Sequence, residues 1–284
     1  MLSILIPTYN YNIVSLVKEL HKQAEDCNID FEILVYDDAS EIYYSDKNSI
    51  ISQLKNTSYT ILKQNVGRSI IRNLLAKNAK NGLLLFVDAG TFPKSKDFIK
   101  IYLNHTTNSV ICGGMTNTEK PPQTPFKLRW IYTKEREANT LCSSNFLIKK
   151  ELMLQYPFDE SLNKYGYEDV LFFNNLIDNS IEVELIKNQV IHFDDDDAAT
   201  YIKNTEYAIE NLVILEKSKK LQVSSSKILK YHNILNKLGL STSVAALFKL
   251  SKKIILKNLN SSRPSLLVFD FYRLGYFCNI KNEE

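Results

Sequence analysis

Four short stretches of this 284-residue chain combine residue types that can do chemistry. Asp37-Asp38 follows the apolar run Phe31 to Tyr36, and a carboxylate there can accept hydrogen bonds from a nucleobase N–H or a ribose hydroxyl, with the ring of Tyr9 offered for stacking. The same Asp-Asp-Ala-Ser stretch equally suits a turn and a helix cap. Asp88 ends the apolar run Leu83 to Val87, where one carboxylate can be half of a cation clamp, yet the place two residues on holds Gly90. In Lys164-Tyr165-Gly166-Tyr167-Glu168-Asp169 the glycine lets the chain bend around a ligand and the tyrosines can stack on a sugar face. One of the two acids can take a proton from an acceptor hydroxyl while the other holds that acceptor, or both can simply favour the start of a helix. His192 in Val190-Ile191-His192-Phe193 can be a nitrogen ligand for a divalent metal, and the acids Asp194 to Asp197 after it can bind cations. Standing alone, the histidine reads equally as structural and the acid run as a solvated loop.

The elements that must position these residues follow from periodicity. Leu2 to Ile6, Phe31 to Tyr36, Tyr59 to Leu62 and Leu83 to Val87 read as strands, and Ile13 to Ala24 and Ser69 to Asn78 as helices. Strands separated by helices imply an α/β fold with a mostly parallel sheet covered on both faces. Ligands bind such sheets beyond the carboxyl ends of the strands. Those ends are where the chain turns polar: Pro7-Thr8-Tyr9-Asn10, Asp37 to Ser40, and Asp88-Ala89-Gly90. Later come a strand at Asn145 to Lys149, a helix opening at Glu168-Asp169, a strand at Ile181 to Ile186 and a helix from Ala198 to Lys217. Thr242 to Leu259 reads as a basic amphipathic helix, with Val244, Leu247, Phe248, Ile254 and Ile255 on one side and Lys249, Lys252, Lys253 and Lys257 away from it.

Composition narrows the class. A hydrophobic content of 44% supports a large core, and no Gly/Ser or Pro-rich linker or repeat divides the chain. Cys27, Cys112, Cys142 and Cys278 lack CxxC spacing, which suggests neither a zinc knuckle nor a disulfide framework and fits a reducing cytoplasm. The N-terminus lacks the features of a signal peptide, and no stretch reads as a membrane span. The net charge of +3 hides an asymmetry: from Lys217 onward there are 13 lysines and arginines against 3 acids, about +10, leaving 22 against 29, about −7, before it. Between Lys217 and Phe269 no acid occurs. Residues 1–216 therefore read as one domain and 217–284 as a basic helical extension, with an anionic membrane surface as a candidate partner.

The order of the motifs is more specific than any one of them. Ile4 to Asn10, then Val35 to Ser40, then Asn65-Val66-Gly67-Arg68 leading to Arg72-Asn73, then Phe86-Val87-Asp88, resembles the nucleotide-binding half of family 2 glycosyltransferases. Tyr165 to Asp169 with Val190-Ile191-His192 is similar to the acceptor-side module of that superfamily, close to the Gly-x-Glu-Asp segment of galactosyltransferases. The resemblance spans roughly residues 1 to 216.

That resemblance implies a GT-A fold, with a helical C-terminal extension here, and an inverting hexosyltransferase that uses a nucleotide-sugar, most often a UDP-sugar. It implies that Pro7, Tyr9 and Asp38 hold the base, that Asp88 meets the ribose or the metal region, and that Arg68 lies near the diphosphate. Asp169 would be the general base, Glu168 would position the acceptor, and His192 would be a metal-side ligand. The family's Asp-x-Asp takes its main metal carboxylate from the second acid, and Gly90 stands there. Any site for Mn2+ or Mg2+ is thus expected to be weak, built from Asp88, His192 and the nucleotide's own phosphate oxygens. The expected acceptor is a glycan or lipid-linked sugar of a bacterial polysaccharide, made at the cytoplasmic face of the membrane; no nucleic-acid partner is expected. A catalytically silent relative that binds a nucleotide-sugar or a partner enzyme is the alternative, and a nucleotidyltransferase is disfavoured because no Gly-rich basic loop follows the first strand.

Overall fold

A computed structural model describes residues 1–105, 110–138, 140–162, 165–193 and 196–283. Lys164, Asp194 and Asp195, named above, lie outside the described residues. The chain forms two compact units: Met1–Thr118, Arg136–Asn163 and Phe172–Phe193 make the first, and Glu119–Glu135, Lys164–Leu171 and Asp194–Glu284 the second.

The first unit is built on the alternation the sequence predicts. Its elements are β1 (Leu2–Thr8), α1 (Val14–Asp26), β2 (Phe31–Asp37), α2 (Ile42–Ser49), β3 (Thr57–Ile61), α3 (Arg68–Asn78), β4 (Leu83–Val87), β5 (Thr91–Pro93), α4 (Phe98–Leu103), β6 (Val110–Cys112) and β7 (Met115–Asn117). After the excursion into the second unit through α5 (Lys127–Tyr132) come β8 (Asn145–Lys149), α6 (Lys150–Gln155), α7 (Glu168–Asp178), whose residues up to Leu171 belong to the second unit, β9 (Val183–Leu185) and β10 (Val190–His192). A seven-stranded sheet runs β3-β2-β1-β4-β8-β6-β9. Its pairings are parallel except where β8 meets β4 and β6. A second, three-stranded sheet runs β5-β10-β7.

Both faces of the large sheet are covered, because alternate residues of a strand point to opposite sides. Leu2, Ile4 and Ile6 of β1 and Leu85 and Val87 of β4 join Leu16, Val17 and Leu20 of α1 in one core. Leu5, Leu84 and Phe86 join Leu75 and Ala76 of α3 and Phe146, Phe158, Phe172 and Phe173 in the other. Full burial of each such side chain is worth about 1.5–3 kcal/mol, so the strands that carry the polar ends are fixed by core packing on both sides.

The second unit is helical. To α5 it adds α8 (Ala198–Lys217), α9 (Lys227–Lys237), α10 (Ser241–Leu259) and α11 (Leu266–Glu283), around a core of Leu128, Tyr201, Ile202, Phe248, Ile255, Leu259, Phe269 and Tyr272. Gly275 sits where α11 crosses α10: an added Cβ there would lie 2.7 Å from the Phe248 Cβ. Phe248 and Ile255 of α10 are buried while Leu247 and Ile254, about 100° round the helix from them, are exposed, so only part of the broad apolar side read from the sequence packs inward. The expected strand at Ile181 to Ile186 is paired only at Val183–Leu185, and the third strand begins at Thr57, before the expected Tyr59.

Candidate functional site

At the carboxyl ends of β1 and β2 the chain ties itself into a polar knot. The Asp38 N–H donates to the Thr8 carbonyl (2.8 Å), the Asn10 N–H donates to Ser40 Oγ (2.7 Å), and Asn10 Oδ1 accepts from the Glu41 N–H (2.8 Å). Asn10 and Ala39 hold positive φ angles of 49° and 61°, which an asparagine tolerates better than an alanine. Asp37 is fully buried, accepting from the Ser40 N–H and from the Tyr59 hydroxyl, and burial together with this carboxylate raises the Tyr59 pKa. Asp37 is therefore the structural member of the acid pair.

Asp38 reaches forward instead. Its Oδ1 accepts from the Val66 N–H (2.7 Å) and its Oδ2 from the Gly67 N–H (2.9 Å), while Asn65 Nδ2 donates to its carbonyl. Gly67, at φ 86°, supplies the left-handed turn that sends two successive N–H groups to one carboxylate just before α3. An ionised carboxylate has about four lone-pair sites, so each oxygen keeps capacity for a further donor. Tyr9 stands beside this knot with its side chain about half exposed, and Pro7 is half-buried in β1.

The end of β4 is charged. Asp88 accepts from Arg72 Nη2 at 2.6 Å, and Arg68 Nη2 lies 3.7 Å from its other oxygen. The N–H of Asp88 donates to the Ser144 carbonyl and its carbonyl accepts from Thr91, which fixes the turn Asp88 to Thr91. Arg72 is buried, its plane over Phe158, with Nε lacking a hydrogen-bond partner. Arg68, one helical turn earlier on the same face of α3, is partly exposed. Arg72 was given no role in the sequence, although the i, i+4 spacing of two arginines ahead of a strand-end aspartate could have marked it.

His192 arrives at the same end of the unit. It pairs with Thr91 across β5 and β10, and the Phe193 N–H donates to the Gly90 carbonyl at 3.4 Å. Among the described residues no three His, Cys, Asp or Glu side chains group as metal ligands. With Arg72 on one Asp88 oxygen and no acid at position 90, these side chains do not form a preformed metal centre. They suit only a cation brought by a diphosphate that supplies the remaining oxygens.

The second unit holds the acid pair. Gly166 (φ 97°) and Tyr167 (φ 68°) turn the chain into α7, and Glu168, buried, accepts the Gly166 N–H at 2.8 Å. Asn211 of α8 clamps the same turn through the Gly166 carbonyl (2.8 Å), and an added Cβ on Gly166 would lie 2.4 Å from the Ala208 Cβ. Glu168 thus braces the turn. Asp169 is more accessible, and its Oδ1 accepts the Val170 N–H at 2.7 Å, a capping contact at the helix start. The Tyr167 hydroxyl meets Ser226 Oγ at 3.3 Å. Asn211 was invisible in the sequence because its role depends on helix packing.

The fold has solved relatives. The mannosyltransferase PcManGT of Pyrobaculum calidifontis, in complex with GDP-Man and Mn2+, matches with TM-score 0.60 at 12% identity over 100% of this chain and 88% of its own. Residues 1–349 of TarS from S. aureus, in complex with UDP, match with TM-score 0.52 at 18% identity, over 99% of this chain and 91% of that one. The chain spans only 39% of the length of a longer TarS structure, which it matches with TM-score 0.50 at 20% identity over 75% of its own residues. These likenesses give the GT-A architecture: a mostly parallel sheet flanked by helices. No curated protein sequence matches the chain. The family model for glycosyl transferase family 2 matches residues 3–160, a span that begins with β1, takes in both the Asp38 knot and the Asp88 turn, and exceeds half the chain. By that match, the chain belongs to glycosyl transferase family 2.

Proposed function

We propose that the chain is an inverting hexosyltransferase that moves a sugar from a nucleotide-sugar, best a UDP-sugar, to a glycan or lipid-linked acceptor in bacterial polysaccharide synthesis. The observation that carries this reading is the Asp38 knot, where the end of β1 holds the Asp38 N–H and the Val66-Gly67 turn holds its carboxylate, beside the exposed ring of Tyr9. In addition, structures of TarS fragments hold UDP or UDP-GlcNAc. The Tyr9 ring stacks on the base, Pro7 shapes the floor beneath it, and Asp38 accepts from the base N–H. Asp88 accepts from a ribose hydroxyl, and Arg68, partly exposed beside it, offers a guanidinium to the diphosphate.

Asp169, in the galactosyltransferase-like Gly-x-Glu-Asp segment, is the proposed general base. It takes the acceptor hydroxyl proton as that oxygen bonds to the anomeric carbon; the bond from that carbon to the diphosphate oxygen breaks, and the nucleotide diphosphate leaves with the electron pair. Glu168 positions the acceptor side by holding the Gly166 turn. A divalent cation held by Asp88, His192 and the donor's own phosphates would neutralise charge on the leaving group. Residues 1–216 are the proposed transfer domain and 217–284 a basic extension, with the protein working at the cytoplasmic face of the membrane.

A panel of nucleotide-sugars tested for binding and hydrolysis checks this reading. UDP-sugars should bind and turn over slowly; binding of none would overturn it. Gly90 and the Arg72–Asp88 pair favour one second reading, a silent relative, which would bind a UDP-sugar yet transfer nothing to any acceptor.

A further inference from the structure

Helices α9 and α10 turn apolar residues outward. On α10 the buried face carries Ala245, Phe248, Ile255 and Leu259. At about 100° per residue a separate face carries Leu247, Leu250 and Ile254, 54%, 84% and 74% exposed, with Lys253 and Lys257 alongside. The shorter α9 repeats the pattern: Ile228, Leu229 and His232 face inward, while Tyr231, Ile234 and Leu238 are exposed among Lys227, Lys230 and Lys237. A solvated helix is ordinarily polar on its outward side. Large apolar side chains exposed on two consecutive helices mark a contact surface.

Charge selects the occupant. No acid occurs between Lys217 and Phe269. Lys249 and Lys252 of α10 are neutralised by Glu283 and Glu206, whereas Lys253 and Lys257, beside the exposed leucines, meet no acid among the described residues. A symmetric contact with a second copy through this face would set lysine against lysine. An anionic leaflet offers both halves of a complement: acyl chains for Leu247, Leu250 and Ile254, and phosphates for ammonium groups whose stems lie along the apolar surface.

We propose that the outward face of α9 and α10, centred on Leu250 and Ile254, docks on an anionic phospholipid surface. No helix among the described residues is long and apolar enough to cross a membrane, so this contact lies along the surface. It deepens the membrane-side role proposed above and rests on that reading for its purpose. Vesicle binding is read without nucleotide-sugar, so either can fail alone.

The test is co-sedimentation of the full chain with vesicles of phosphatidylcholine alone or mixed with phosphatidylglycerol, at low and high salt. Wild type should bind only the anionic vesicles and release in high salt. Replacing Lys253 and Lys257 together by Gln should weaken binding about 30-fold, from the contribution of two lysines near a charged leaflet. Leu250→Ser with Ile254→Ser, both at exposed positions, should abolish binding with the melting temperature unchanged. The charge-matched control, Lys18→Gln with Lys22→Gln on α1, should bind as wild type. Failure of wild type to bind, binding unchanged in both face variants, or equal loss in the control would overturn the lipid assignment. So would a concentration-dependent dimer that the Leu250–Ile254 variant dissolves, which would give the face to a second copy.

Discussion

Arg72 and Asp88 form a 2.6 Å ion pair in which the arginine is almost wholly buried and the aspartate largely so. The strand-end carboxylate is thus already neutralised by a cation built into α3. A buried pair of this kind is costly to break from one side, because the remaining charge has no water to turn to.

Arg72→Met should therefore destabilise the protein by about 3–5 kcal/mol. Asp88→Asn should cost less, since the amide oxygen can still accept from Arg72, yet it should weaken nucleotide binding. Urea unfolding of both single variants and the double variant measures the coupling. A coupling energy near zero would show that the pair does not hold α3 to β4.

Asp38 carries a double load. Asp38→Ala removes the acceptor for the Val66 and Gly67 N–H groups, so it should lower stability by about 1–3 kcal/mol and weaken UDP binding by roughly 1.5–3 kcal/mol. Titration calorimetry at a temperature where the variant remains folded separates the two effects. Equal UDP affinity in variant and wild type would leave Asp38 with the turn alone.

How much of this was legible beforehand follows from element length. Strands β1, β2 and β4 and helix α8 stood out because long apolar runs and long periods survive single exceptions. Strands β5, β6, β7 and β10 have three residues each, too few to show a period, and β9 was legible only as part of the longer run Ile181 to Ile186. The Asp38 and Asp88 ends were readable because polar residues interrupt apolar runs there. Which acid of Asp37-Asp38 is held by Tyr59 and which by the Val66-Gly67 turn was not, since those partners are distant in sequence. Helix α10 shows one broad apolar side in sequence, and which part of it is buried, around Phe248 and Ile255, is set by packing that periodicity does not show.

Asp169 and Glu168 should separate cleanly in kinetics. Asp169→Asn keeps the helix-cap contact with the Val170 N–H but cannot take a proton, so transfer should fall about 100-fold or more with donor binding retained. Glu168→Gln should retain part of its contact with the Gly166 N–H and lose less activity. A fully active Asp169→Asn enzyme would return Asp169 to helix capping.

Asp197 caps α8 by accepting the Thr200 N–H at 2.7 Å, and these backbone contacts lower its pKa. A group whose folded pKa is depressed stabilises the fold above its unfolded pKa and loses that contribution as pH falls through the folded value. Asp197→Ala should cost about 1 kcal/mol at neutral pH. The gap between variant and wild type in unfolding free energy should narrow as pH falls below about 4. A gap that stays constant to acid pH would mean that the charged cap contributes nothing.

Gly90 offers the most direct test of how the diphosphate is held. A Cβ added there meets no atom within 4 Å, so Gly90→Asp can be made without a clash and sets a second carboxylate two residues after Asp88. In the wild type, a cation at this end of the unit has Asp88, already engaged by Arg72, and His192 beside Thr91. That set is too small to hold Mn2+ firmly by itself, whereas diphosphate oxygens can complete it. Manganese titrations with and without UDP should therefore show weak binding in the absence of nucleotide and tighter binding in its presence. Gly90→Asp should strengthen the nucleotide-dependent binding further and leave the melting temperature close to that of wild type. Tight manganese binding by nucleotide-free wild type would contradict the weak site. If Gly90→Asp leaves manganese binding unchanged with UDP present, Asp88 serves the nucleotide and its arginine partners rather than a metal.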